Sequence, residues 1–353
     1  MSHWILTINP GSTSTKTALF RDEELVFNES INHTREELDE AGIHIHQIPM
    51  RKALVLKALS DNGIEVSSLS AVVGRGGLLP PVKTGGYMVN KRMLDLIINE
   101  EIPWHESNLG AVLAYEIAQL AKAPAYIYDA VSASDFPPIA MVTGLKEIVR
   151  HSFSHVLNSR SAAIRYARSV GKSLEDLNLI VTHLGGGVTI GVYQKGKLVD
   201  SLSDDNGPFG PERSGSAPLI DFIELCYSGA FTKEEMTKKV RGAGGLKAYL
   251  GTSDGREIMN RIENGDKYAA EMMEALAYQI AKGVGLLAPV LRGKCDAVII
   301  TGSLAYFESL VNDVKGYIEF IAPVAVIPGE YEMEALALGG LRMLLGQEAA
   351  NEF

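Results

Sequence analysis

Residues 5–27 and 179–201 follow one plan without sharing one sequence, and this repetition limits the possible folds more than any other feature of the chain. In the first copy, Ile5-Leu-Thr-Ile-Asn9 ends at Pro10-Gly11 and is followed by Thr15-Lys-Thr-Ala-Leu-Phe20, a charged turn and Glu24-Leu-Val-Phe27. In the second, Leu179-Ile-Val-Thr-His183 leads through Gly185-Gly186-Gly187 to Val188-Thr-Ile-Gly-Val-Tyr193, a Lys195-Gly196 turn and Lys197-Leu-Val-Asp-Ser201. Short apolar runs separated by glycine-rich punctuation read as strand, turn, strand, turn, strand. Each half is therefore expected to open with a three-stranded meander and to continue as α/β, with helices on the faces of a mixed sheet.

The rest of the pattern agrees with two such halves. Ala71-Val-Val73 and Ala125-Tyr-Ile-Tyr128 are strand candidates, and Leu113, Ile117 and Leu120 form a helical stripe after an Asn108 cap. Later, Met273, Leu276, Ile280, Val284, Leu287 and Leu291 predict a long buried helix ahead of the strand Ala297-Val-Ile-Ile300. A last helix from about Glu332 to Leu345 follows Val324-Ala-Val-Ile327 and Pro328-Gly329. A chain of 353 residues exceeds what one core comfortably holds, so two domains are expected, with hinges near residues 130–150 and 328–333.

Charge narrows the function classes. Forty-three acidic against thirty-three basic residues give a net charge of −10, which repels phosphate backbones and disfavours nucleic acid or an anionic membrane as partner. No apolar run reaches the length of a membrane span. Cys226 and Cys295 form no disulfide or zinc pattern, and the N-terminal stretch lacks a basic start and a long apolar core, so a cytoplasmic, reducing setting is expected.

Any anionic ligand must then be drawn in by local cations and N–H groups. Asn9-Pro-Gly-Ser-Thr-Ser-Thr-Lys16 gathers Gly11, three hydroxyls and a lysine in a turn between strands, a hairpin tip suited to a phosphate; the Walker spacing is absent. Gly185, Gly186 and Gly187 form the matching tip in the second half. Arg75 follows an apolar strand in Val73-Gly-Arg-Gly-Gly77, and Arg213 lies in Pro208-Phe-Gly-Pro-Glu-Arg-Ser-Gly215. A guanidinium fork stays charged and donates two parallel bonds to a carboxylate or phosphoryl group. His183 occupies the slot of Asn9 at the opposite tip, whereas His151 reads as a surface residue. Asp129 ends a strand where a carboxylate can reach a metal, Glu332 and Glu334 open the last helix, and Thr301-Gly302-Ser303 reads as a strand-to-helix turn approached by nucleotide.

In this order, Ile8-Asn-Pro-Gly-Ser-Thr-Ser-Thr-Lys16, Val73-Gly-Arg-Gly-Gly-Leu78, His105-Glu-Ser-Asn-Leu-Gly110, His183-Leu-Gly-Gly-Gly187, Pro211-Glu-Arg-Ser-Gly215, Leu250-Gly-Thr-Ser-Asp-Gly-Arg256 and Thr301-Gly-Ser303 resemble the acetate and butyrate kinase family, most closely its butyrate kinase branch. The resemblance implies two ribonuclease-H-like domains of the actin and sugar-kinase superfamily: residues 1–132 plus 333–353 on the acid side, residues 133–332 on the nucleotide side, with a cleft between them. It implies a homodimer that uses ATP/ADP and Mg2+ to convert butanoate to butanoyl phosphate by direct in-line transfer. Isobutyrate, acetate or propionate are alternative acids. A non-catalytic nucleotide switch on the same scaffold is the alternative from another class.

Carried over residue by residue, Asn9, Ser12, Ser14 and Lys16 would line the phosphoryl path, while Arg75 and Arg213 would hold the acid and the moving phosphoryl group, assisted by His105, His155 and His183. Asp129 and Glu332 match the acids associated with magnesium, Asp254 and Arg256 the pair near adenosine, and Gly302 a nucleotide-contact glycine. The family's usual Thr-Gly-Gly is here Thr301-Gly302-Ser303. Gly76 and Gly77, with no side chains beside Arg75, would leave room for an alkyl tail longer than that of acetate.

Overall fold

The computed structural model describes residues 2–353. The chain divides into two compact units. One ends at Ala133 and takes up the chain again over Tyr331–Phe353; the other is Ser134–Glu330.

In the first unit, β1 (Trp4–Pro10), β2 (Ser14–Arg21) and β3 (Glu24–Asn32) form an antiparallel meander, and β4 (Ala71–Arg75), β5 (Gly86–Met88) and β6 (Ala125–Tyr128) complete a six-stranded sheet of order β3-β2-β1-β4-β6-β5. β1, β4 and β6 run parallel, with Ile8 beside Gly74 and Gly74 beside Ile127. β1 and β4 are buried along nearly their whole length, as central strands covered on both faces must be, and this is why they read as continuous apolar runs. The buried hydroxyls of Thr7 and Thr17 are satisfied by the carbonyls of Ala18 and Thr7 at 3.1 and 3.2 Å. The final helix, Glu332–Leu344, belongs to this unit and packs on β1, β4, β2 and β6.

The second unit repeats the plan. β7 (Asn178–Leu184), β8 (Val188–Gln194) and β9 (Lys197–Leu202) form the meander, and β10 (Ala297–Gly302) and β11 (Val324–Pro328) add in parallel, giving the order β11-β10-β7-β8-β9. The helix Lys267–Leu287 lies in its core, with Met273, Leu276, Ile280, Val284 and Leu287 buried, and Leu291 follows in a short 3-10 turn. Gly302 matters for its backbone: at φ +95° it takes a conformation that side chains rarely adopt, and a Cβ there would lie 2.3 Å from the carbonyl oxygen of Leu184.

Three local expectations need correction. The third strand continues past Phe27 to Asn32, and β5 is an additional three-residue edge strand. In the helix Leu109–Ala121, Leu113 and Ile117 are buried but Leu120 faces solvent. Asn108 does not cap that helix with its side chain: its Oδ1 accepts from the N–H of Leu78 at 2.8 Å and its Nδ2 donates to the Pro103 carbonyl at 3.1 Å.

Candidate active site

In an open sheet, the C-terminal ends of parallel strands are where loops can converge on a ligand. In the first unit, Asn9 lies near the end of β1, Arg75 ends β4 and Asp129 follows β6, so register alone brings the three to one sheet edge. Glu332, in the first turn of the final helix, completes the group. Arg75 Nη1 lies 3.2 Å from Glu332 Oε1 and 3.3 Å from both Glu332 Oε2 and Asn9 Oδ1, and Asn9 Nδ2 donates to Glu332 Oε2 at 2.7 Å. A carboxylate thus already rests on the Arg75 guanidinium, in a place shielded from solvent.

Asp129 is buried in a left-handed conformation, φ 44°, which Asp tolerates better than most residues. Its Oδ1 accepts from the N–H of Gly85 at 2.8 Å and its own N–H donates to the Gly85 carbonyl at 3.1 Å. His105 has a defined tautomer. The N–H of Ser107 can only donate, and it reaches Nδ1 at 3.2 Å, which places the ring proton on Nε2. Burial, with the Arg75 charge beside it, pushes the pKa of His105 below its ordinary range.

Gly77 does not face open space. A Cβ built there would lie 1.9 Å from Asn108 Oδ1 and 2.7 Å from Asn108 Cα, and one at Gly76 would meet Ala130 Cβ at 2.7 Å. The two glycines let the loop after Arg75 pass against the backbone around Asn108 and Ala130, so the expected room for an alkyl tail at Gly77 is absent. Ser12 and Lys16 are exposed and Ser14 half-buried on the β1–β2 tip, where Lys16 stands opposite Asn9 in the β1–β2 register.

In the second unit, His183 stands opposite Thr189 in the β7–β8 register, the slot that Asn9 takes in β1. Its ring stacks on that of His155 with centroids 4.0 Å apart. Asn158 Nδ2 reaches both His183 Nδ1 at 2.9 Å and the Gly329 carbonyl at 3.4 Å; the carbonyl can only accept, so Nδ1 accepts as well and the His183 proton lies on Nε2. Around the Gly185-Gly186-Gly187 tip, a Cβ at Gly187 would come within 3.4 Å of Arg213 Cγ and 3.6 Å of His155 Cε1. Arg213 is aimed by Asp204, a buried carboxylate that accepts from its Nε at 3.0 Å and from Arg241 Nη2 at 3.3 Å. His151 is exposed.

A cavity of about 590 Å³ opens beside the same tip. Gly185, Gly186, Asp254, Arg256, Ser303 and Phe307 line it, so polar groups stand against an aromatic wall, the mixture that suits a nucleoside. Asp254 caps the helix Gly255–Glu263 through the N–H of Arg256 and pairs with the Arg256 guanidinium at 3.1 Å. Gly302 precedes Ser303 at the end of β10.

Sequence reasoning missed Asp204, Asn158 and the true role of Asn108, none of which belongs to an apolar period or a recognisable spacing. Among the described residues, no group of three or more His, Cys, Asp or Glu is arranged to hold a metal ion. Magnesium, however, usually takes one or two carboxylates together with substrate phosphates, and Asp129 and Glu332 offer hard oxygen donors of that kind.

The chain is similar to several known proteins. Residues 140–316 match the model of the acetokinase family. Butyrate kinase 1 of Clostridium acetobutylicum is 44% identical over 351 residues, covering 99% of this chain and 99% of that protein. Among solved structures, acetate kinase of Porphyromonas gingivalis superposes with a TM-score of 0.79 at 18% identity, covering 97% of this chain and 100% of that one. A propionate kinase of Francisella tularensis superposes at 0.72 and 17% identity, covering 95% and 98%. The fold is theirs, a mixed α/β architecture with two related sheets, and by sequence the chain belongs to the acetokinase family.

Proposed function

We propose that the protein transfers the γ-phosphoryl group of ATP to a short-chain carboxylate, butyrate in the first instance, giving an acyl phosphate and ADP. The observation that carries this reading is the carboxylate of Glu332 on Arg75 and Asn9: the group that would receive the acid already binds one. The 44% identity to a butyrate kinase supports butyrate over its shorter and branched relatives.

In this mechanism the acid's carboxylate oxygen attacks phosphorus in line, forming the new P–O bond as the bond to the ADP oxygen breaks. A carboxylate is ionised at neutral pH and needs no general base, so the work is positioning and neutralising charge on the equatorial oxygens. Arg75 and Asn9 hold the acid. Arg213, held by Asp204, stabilises the transferring group, and the Nε2–H donors of His105 and His183 assist with His155. Gly185, Gly186, Gly187 and the tip residues Ser12, Ser14 and Lys16 accommodate the phosphates, and Asp254, Arg256 and Gly302 the nucleoside end. Asp129 and Glu332 would hold Mg2+, which when bound screens charge on the phosphates. The unit with β1 to β6 supplies the acid's groups and the unit with β7 to β11 the nucleoside's.

We place the protein in the cytoplasm as a homodimer. No helix among the described residues is long and apolar enough to cross a membrane. The helix Leu219–Tyr227 buries none of its residues and leaves Leu219, Ile220, Ile223 and Tyr227 exposed, an apolar surface that a second copy would cover. Light scattering on the purified protein should give twice the chain mass. For the activity, ATP, Mg2+ and acid are incubated with hydroxylamine, which traps acyl phosphate as a coloured hydroxamate. Butyrate should yield product; none with butyrate, isobutyrate, propionate or acetate would overturn the proposal.

A further inference from the structure

Beneath the tip that joins β1 to β2 lies a guanidinium with no solvent-accessible surface. Arg51 belongs to the helix Ile48–Asp61, where it stands in line with the buried Ile48, Val55 and Leu59, a place that helical spacing reserves for an apolar side chain. All five of its N–H donors are used. Nε and Nη2 donate to Gln47 Oε1 at 3.1 and 2.9 Å, Nη2 to the Gly11 carbonyl at 2.9 Å, and Nη1 to the Ser14 carbonyl at 3.0 Å and Thr15 Oγ1 at 2.8 Å.

Every one of these acceptors is neutral. Among the described residues no carboxylate lies within ion-pair distance of Arg51, and the Glu106 charge offsets its burial only in part, from farther away. A desolvated cation is costly to keep unless a counter-charge comes close. The tip above it is built to bring one. The carbonyls of Gly11 and Ser14 turn inward to the guanidinium, and Ser14 O also accepts from the N–H of Gly11 at 2.8 Å. The N–H groups of Ser12 and Thr13 have no protein acceptor among the described residues. Carbonyls taken up by the guanidinium and N–H groups left without a protein acceptor, over a buried positive charge, make an anion receptor.

We propose that Arg51 is a positioning residue of the phosphate-binding tip, fixing Gly11–Ser14 through its carbonyls and supplying the buried charge that attracts a phosphoryl anion. The idea rests on the proposed function, because that reading puts the moving phosphoryl group at this tip. It goes beyond that reading in assigning the tip's shape and charge to a residue that touches no substrate.

The test uses the full chain with Arg51→Met, Arg51→Lys and Thr15→Val. Steady-state kinetics with ATP and butyrate are combined with thermal unfolding in the presence of tripolyphosphate. The parent is expected to be stabilised by tripolyphosphate; Arg51→Met is expected to lower kcat at least tenfold, to leave the acid's KM within twofold, and to abolish that stabilisation. Arg51→Lys keeps the charge and should recover part of both. A merely structural role would lower the melting temperature but leave kcat per folded molecule and the tripolyphosphate shift intact, and that result would overturn the proposal. Should Arg51→Met not fold, Thr15→Val removes one of Arg51's five hydrogen bonds, together with the 2.9 Å bond between Thr15 Oγ1 and His33 Nε2, and should still lower kcat severalfold at constant acid KM; parent-like values would overturn the proposal. A parent that phosphorylates no acid would sink the proposed function instead, while the tripolyphosphate shift would continue to report on Arg51.

Discussion

Gly110→Ala is a small change that should disable Arg75 without replacing it. Gly110 is the second residue of the helix Leu109–Ala121, and a Cβ there would lie 2.4 Å from the carbonyl oxygen of Arg75 and 2.9 Å from its nitrogen. Ordinary separation needs about 3.5 Å, so helix and strand must part by roughly 1 Å. Alanine favours the helix by at most about 1 kcal/mol over glycine, whereas overpacking costs about 1–3 kcal/mol. The clash wins. For units of this size the melting temperature should fall by about 2–8 °C. The catalytic effect should be larger, because a displacement of about 1 Å in a positioning group can cost on the order of 100-fold in rate. Thermal unfolding followed by circular dichroism, beside kcat/KM for butyrate, tests both halves. A variant with parent-like melting and kcat/KM within twofold would refute the claim that this glycine sets the position of Arg75.

Arg213→Ala should lower kcat by about 100-fold or more, since a donor fork aimed at developing charge is lost. Asp204→Asn should cost less, because the fork remains but is less firmly aimed; equal losses in the two variants, measured by initial rates at saturating ATP, would contradict that division of labour. Acidification should destabilise the protein below about pH 6.5. Burial lowers the folded-state pKa of both His105 and His33, so the unfolded chain takes up protons first, and the stability these groups contribute above their unfolded pKa is lost as pH falls towards the folded one. His105→Gln should flatten urea-derived stability between pH 6.5 and 5.5 by no more than about 1.4 kcal/mol, the limit for one group; a slope unchanged from the parent would show that His105 does not titrate there.

Most of what the sequence revealed came from strands buried on both faces. β1 and β7, with the β2 and β8 hairpin arms, combine apolar runs with glycine turns, so their limits were legible within a residue or two. Asn9, Arg75 and Asp129 were legible as well, because strand ends in a parallel sheet mark them out. β5 was not: three residues at a sheet edge carry no period. Arg51 left a signal that went unused, a charge inside the stripe Ile48, Val55, Leu59, where solvation would forbid it unless all its donors were satisfied. Asp204 and Asn158 left none, because their roles arise from hydrogen bonds between segments far apart in the chain.

Gly77 shows where residue type and spacing misled, and it yields the last prediction. Two glycines after Arg75 read as space for a longer acid, in which case Gly77→Val would turn preference towards acetate. The structure fills that space: Asn108 Oδ1 lies 1.9 Å from the position of the added Cβ, held there by the N–H of Leu78 at 2.8 Å while Nδ2 holds the Pro103 carbonyl at 3.1 Å. Valine must expel Asn108, leaving buried polar groups without partners at about 1–3 kcal/mol each, before it could reach an acyl group. Two methylenes separate butyrate from acetate, about 1.6 kcal/mol or on the order of 10-fold in kcat/KM if both are buried. That preference should survive in whatever Gly77→Val protein folds, because its source lies elsewhere in the site. The expected outcome is a lower melting temperature and a common fall in kcat/KM for acetate, propionate, butyrate and isobutyrate, with their ranking unchanged. Gly77→Ala should show the same effect more mildly. A Gly77→Val enzyme that melts like the parent and prefers acetate would restore the pocket at Gly77 and refute the packing argument.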